Sequence, residues 1–111
     1  MAATLGAGGP DRLTMRVSPL VAFAPADLSV RTTIEANDQN RSIQIIAESA
    51  EFYRSSEMPL DGGQAPRTTQ FELRNLPGGM YTVIAVLKGA NDTTLARTRR
   101  DITVVESPLT R

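Results

Sequence analysis

Carboxylates are the first side chains in this sequence with chemistry to offer, and Asp38, Glu48, Glu51, Glu57 and Asp61 cluster between positions 38 and 61. Two of them would serve as general acid and base only if they converged in a cleft that split their pKa values. Their spacing shows no convergence. The chain also has no His, no Cys and no Trp. Without imidazole it lacks the commonest general base and the usual ligand of zinc, copper and haem; without thiol it has no disulfide, thiolate metal site or cysteine nucleophile. Two oxygen-rich clusters, Asn37-Asp38 with Asn40 and Asn91-Asp92, offer hard-cation ligands. Neither has the alternating acidic spacing of a calcium loop, and both read as turns. The expectation is no catalytic residue, no cofactor and no metal, and hence no enzyme.

The basic side chains are 11 Arg and a single Lys, and they balance 12 acids to a net charge of +0. A phosphate-binding surface shows a basic excess and stacking aromatics, whereas aromatics here are only 5% of residues. Nucleic acid is therefore not an expected partner. Arg97, Arg99 and Arg100 form a short basic run that reads as a charged strand edge discouraging strand addition, with a sulfate or glycan contact as the lesser alternative. The longest apolar run, Val83 to Leu87, falls far short of the roughly 20 residues of a membrane span.

Those residues must be positioned by strands. The chain carries 7 Val, 6 Ile and 12 Thr among its 111 residues, a composition of strand formers. Leu13, Met15 and Val17 alternate with polar neighbours, and Pro19 and Pro25 then break an edge segment with a short extension at Val21 to Phe23. Leu28 to Ala36, Ser42 to Ser49, Gln70 to Arg74, Met80 to Lys88 and Leu95 to Val105 repeat the two-residue period. Turn clusters separate them, at Asn37 to Asn40, Asp61-Gly62-Gly63, Leu76-Pro77-Gly78-Gly79 and Gly89 to Asp92. Residues 50–60 show no period and are read as a short strand, a bulged edge or a helical turn. About seven strands without crossover helices predict an all-β, antiparallel two-sheet sandwich over residues 13–107. It lies between an N-terminal arm, 1–12, and a tail, 108–111.

The run Phe71-Glu72-Leu73-Arg74-Asn75-Leu76-Pro77-Gly78-Gly79-Met80-Tyr81 resembles the E–F corner of immunoglobulin-like sandwiches, in particular fibronectin type III domains and related bacterial modules. The resemblance implies a tyrosine corner built from Leu76, Pro77, Gly79 and Tyr81, in which the Tyr81 hydroxyl bonds back to upstream backbone. The missing Trp is a departure from fibronectin type III domains, and the missing Cys pair sets the chain apart from antibody-type domains.

Alternation turns Thr82, Ile84 and Val86, with Ile46, away from the core, and an outward apolar patch reads as an interface unless residues 50–60 fold over it. Asn40 and Asn91 begin the sequons Asn40-Arg41-Ser42 and Asn91-Asp92-Thr93 in two loops expected at one end of the molecule, and they join the candidate interface. The uncharged opening residues look like the tract that follows a cleaved signal peptide, so a secreted or cell-envelope location is expected. The functional expectation is a non-enzymatic extracellular or envelope interaction module, bacterial, binding a protein partner or self-assembling. Its alternative is a carbohydrate-binding or accessory module of a larger secreted enzyme, which needs an exposed aromatic platform drawn from Phe23, Phe52, Tyr53, Phe71 and Tyr81.

Overall fold

The computed structural model describes residues 12–106, and the expected arm and tail fall outside them apart from Arg12. Eight strands follow in order: β1 (Leu13–Ser18), β2 (Val21–Phe23), β3 (Ala26–Ile34), β4 (Ser42–Glu48), β5 (Tyr53–Pro59), β6 (Thr68–Leu76), β7 (Gly79–Lys88) and β8 (Thr94–Val105). From Leu13 to Glu106 there is no α-helix, only 3-10 turns at Gly62–Gln64 and Ala90–Asp92. β1, β3 and β6 make a three-stranded sheet in that order, and β2, β8, β7, β4 and β5 a five-stranded one that curls as a half-barrel. The all-β, two-sheet expectation holds at that level.

Both sheets contribute to one core, and the two-residue period decides which side chains enter it. Leu13, Met15 and Val17 come from β1, Leu28, Val30 and Ile34 from β3, and Phe71, Leu73 and Leu76 from β6. Ile43, Ile45, Ala47, Tyr81, Val83, Ala85, Leu87, Ile102 and Val104 face them from the wider sheet. β7 lies between β8 and β4 and is buried on both faces from Val83 to Leu87, which matches its unbroken apolar run.

Two readings change. The sheets are not purely antiparallel, because the chain leaves the first sheet after β1 and lays β2 parallel to β8 with Val21 opposite Thr103. Residues 50–60 do not fold over the outward face. Tyr53–Pro59 instead extends the five-stranded sheet as its edge, pairing residue by residue with β4. This strand is exposed on both faces, so no periodic signal marked it.

At the loop end, Gly62 adopts a φ of +53°, and a Cβ there would lie 3.1 Å from the Asp38 carbonyl oxygen. Gly62→Ala is therefore expected to cost about 1 kcal/mol, visible as a lower urea midpoint at unchanged slope. An unshifted midpoint would show that the turn relaxes freely.

Candidate functional site

The expected site residues scatter. Ile46, Thr82, Ile84 and Val86 do share the outward face of the five-stranded sheet, with Ile46 opposite Ile84. Yet Ile84 and Val86 retain only 7% and 9% exposure. Their neighbours across the ladder are Arg99 and Arg97 on one side and Ile46 and Gln44 on the other, and long side chains lay their stems over apolar surface. Asn40 is fully buried. Its side-chain amide donates to the Glu35 carbonyl at 3.0 Å, so it fastens a loop and is not open to a partner. Asn91 is exposed at a φ of 57° in the turn before β8.

Among the aromatics, Phe23 and Tyr53 are 62% and 60% exposed. They stand on β2 and β5, the two opposite edges of the wide sheet, roughly 19 Å apart at normal strand spacing. They do not form one platform for a sugar. Phe52 packs on the core and meets Tyr81 edge-on, with ring centres 6.1 Å apart. The Tyr81 hydroxyl donates to the Pro77 carbonyl at 2.7 Å. The acids do not assemble either: Glu48 and Glu57 sit on outward strand positions, and Asp38 and Asp61 border a hollow with Arg41, whose guanidinium donates to the Asp38 and Asn40 carbonyls.

What the fold does assemble is arginine. Between β1, the edge of the narrow sheet, and the first part of β8 runs an open cleft of about 780 Å³, lined by Thr14, Arg16, Ser18, Arg31, Thr33 and Arg100. A second hollow along the same seam adds Ala96, Arg97 and Thr98. Arg16 and Arg31 are direct cross-strand partners. Placing like charges opposite each other is locally unfavourable, and a glutamate at either position would relieve it. Arg100 has the parity of the buried Ile102 and Val104 but remains exposed, because the seam is open where it stands.

Among the described residues the ion pairs are Arg99 with Asp101 and Lys88 with Glu57, so Arg16, Arg31, Arg97 and Arg100 meet no carboxylate within bonding range. By strand register, Glu72 lies one row along the same face, opposite Ser29. Its carboxylate accepts from Gln70 at 3.1 Å and Ser29 at 3.0 Å, and these bonds hold its pKa below the usual carboxylate value. The arginines are left with surplus positive charge facing one cleft. Strand parity placed Arg16 and Arg31 on the outward face; their pairing depends on the β1–β3 register.

No family model matches the chain, and no curated protein matches it. Solved structures do. A superoxide reductase (neelaredoxin) from Ignicoccus hospitalis is 15% identical, with a TM-score of 0.66 over 83% of this chain and 79% of that one. A family 76 glycoside hydrolase from a bovine Bacteroides thetaiotaomicron strain is 17% identical, with a TM-score of 0.61 over 87% of this chain and 21% of that one. The CARDB domain of a Pyrococcus furiosus protein, solved with di-metal ions, is 16% identical, with a TM-score of 0.50 over 86% and 94%.

At these identities the likeness is one of fold. It nonetheless corrects the expectation of a non-enzymatic interaction module: the two-sheet fold behind that expectation is also the fold of an enzyme, so it gives no ground for excluding catalysis. Reduction of superoxide needs a one-electron donor, which proteins commonly hold on imidazole or thiolate ligands. This chain has neither. Its described thioethers are also dispersed, with Met15 in the core and Met58 and Met80 exposed on separate strands. The residues present do not fit a redox metal held in that way.

Proposed function

We propose that this protein binds a multivalent oxyanion, a polycarboxylate or phosphate, in the cleft between β1 and β8, with Arg16, Arg31 and Arg100 as its principal contacts. The observation that carries the reading is the direct Arg16–Arg31 pairing beside Arg100, without a carboxylate partner among the described residues. Guanidinium groups present paired donors that match carboxylate and phosphate oxygens, and an anion would relieve the repulsion built into the ladder.

The fold we propose for the scaffold is an immunoglobulin-like sandwich of the fibronectin type III kind. Supporting it are the pairing of β1–β3–β6 against β8–β7–β4–β5, the bond from Tyr81 to Pro77, and the likeness to the CARDB domain. In that reading Leu76, Pro77, Gly79 and Tyr81 form the tyrosine corner.

Citrate and inorganic phosphate are the first probes, followed by NMR of the arginine side chains. Arg31→Glu is expected to weaken citrate binding at least tenfold, because one charge-assisted contact is lost and another charge reversed. The same variant is expected to match or exceed the parent in thermal stability, since Glu opposite Arg16 replaces a like-charge pair. Unchanged affinity in a folded Arg31→Glu protein would overturn the reading.

A further inference from the structure

The lining beyond the cleft says more about what carries the anionic groups. We infer that the occupant is a linear polyphosphate, laid along the seam between β1 and β8 with Arg97 as a further contact; this rests on the anion-binding reading and specifies its ligand.

Two hollows join into one furrow. The cleft of Arg16, Arg31 and Arg100 and the second hollow along the seam share Thr14, Met15 and Arg100 in their walls. The second hollow sets Leu13, Thr14 and Met15 beside Ala96, Arg97 and Thr98, and the cleft carries on from Met15 to Ser18 beside Arg100. Past its end the Leu20 carbonyl accepts from the Thr103 N–H at 2.9 Å. Positions thus advance together on the two strands, and the furrow follows β1 from end to end. The 6 residues of β1, at roughly 3.3 Å each, make it about 20 Å long.

Its positive groups stand in two places. Arg16 and Arg31 pair across the β1–β3 ladder with Arg100 beside them, and Arg97 stands about 10 Å away along β8. Arg100 holds the junction. Its guanidinium donates to the Arg99 carbonyl at 3.0 Å, a bond that uses one of the several N–H donors such a group carries. Arg99 itself is drawn aside to Asp101 at 3.2 Å and is not assigned to the furrow. A citrate or a single phosphate reaches one of the two places. A chain of phosphates reaches both, and tethering the second contact to the first raises affinity with no change in chemistry.

The side chains between the arginines select among polyanions. Guanidinium forks take phosphoryl oxygens in pairs, and the hydroxyls of Thr14, Ser18, Thr33 and Thr98 can donate to the same oxygens. The rest of the lining is apolar without an aromatic ring: Leu13, Met15, Val17, Leu20 and Ala96. A nucleic-acid base or a sugar finds no ring there to stack on. The Cα atoms of β1 and β8 approach within 8 Å, closer than the roughly 10 Å that a peptide strand inserted between them would need. A bare phosphate chain lies over the seam and meets neither limit.

The probes are tripolyphosphate and a polyphosphate of about ten units, compared at equal phosphate concentration. The longer chain is expected to bind about tenfold more tightly or better, since it alone spans from Arg97 to Arg16. Arg97→Gln, which keeps most of the stem and removes the charge, should weaken the longer chain about fivefold and tripolyphosphate less than about twofold. A longer chain that binds no more tightly than tripolyphosphate, or that is indifferent to Arg97→Gln, would overturn the furrow and leave the arginine site standing. Tighter binding of an oligothymidylate or a heparin oligosaccharide at equal charge would overturn polyphosphate as the occupant. If neither polyphosphate nor citrate perturbs the side-chain NMR signals of Arg16, Arg31 or Arg100, both readings fall.

Discussion

Tyr81→Ala is expected to lower stability by about 4 kcal/mol, and Tyr81→Phe by about 1–2 kcal/mol. The ring is only 1% exposed, packs within the core and receives the edge of Phe52, over which Arg54 lies at 5.2 Å from the ring centre. Alanine loses that burial and leaves a cavity. Phenylalanine keeps the packing but leaves the Pro77 carbonyl without its donor. Burial, the largest effect on this phenol, also pushes its pKa above the usual value. The folded protein then keeps its proton to higher pH than the unfolded chain, so the contribution is complete below about pH 10 and fades as pH rises beyond it. Urea unfolding at pH 8 and pH 11 tests both parts. Tyr81→Phe should show a smaller alkaline loss than the parent, and equal stability with identical pH profiles would remove the hydroxyl from the account.

Asn40→Asp is the second large effect, expected at about 3 kcal/mol at neutral pH. Asn40 joins the turn after β3 to the segment after β5. Its backbone N–H donates to the Asn37 carbonyl and its own carbonyl accepts from Gly62, both at 3.1 Å, while its side-chain amide reaches Glu35. Among the described residues the side-chain Oδ1 has no hydrogen-bond partner, and the adjacent Arg41 guanidinium is engaged by the main-chain carbonyls of Asn40 and Asp38. An aspartate there loses the donor to Glu35 and is tolerated mainly in its protonated form, which raises its folded-state pKa. The deficit should therefore be small at pH 4 and grow as pH rises to 8. Thermal unfolding at the two pH values measures it, and a pH-independent deficit would place the side chain in contact with water.

These effects sit unevenly with what the residue order discloses. Leu13, Met15 and Val17, or Tyr81, Val83, Ala85 and Leu87, announce their strands because one face of each is core and the period is visible. Arg54-Ser55-Ser56-Glu57 announces nothing, since β5 is held by its ladder with β4 and has no buried side to pattern. Ile84 and Val86 looked like open surface because alternation gives the direction of a side chain without the reach of its neighbours. Asn40, in a polar turn cluster, has the composition of an exposed loop whether it points outward or inward. The candidate site was least legible: Arg97, Arg99 and Arg100 are adjacent in sequence, but their grouping with Arg16 and Arg31 is a product of strand register and sheet order.

The parallel pairing of β2 with β8 has a consequence for how the chain is made. Val21 waits for Thr103, and β7 waits for the same strand along its opposite edge. β1 and β3 can zip as soon as both have left the ribosome, and β4 and β5 likewise, because their partners are close in the chain. The β2–β8–β7 side of the wide sheet has no such early start. Its edge from the beginning of the fold and its central strand from the later part both remain exposed until β8 has emerged, so an interrupted synthesis would release a product with unpaired strands along both lines that β8 was to join.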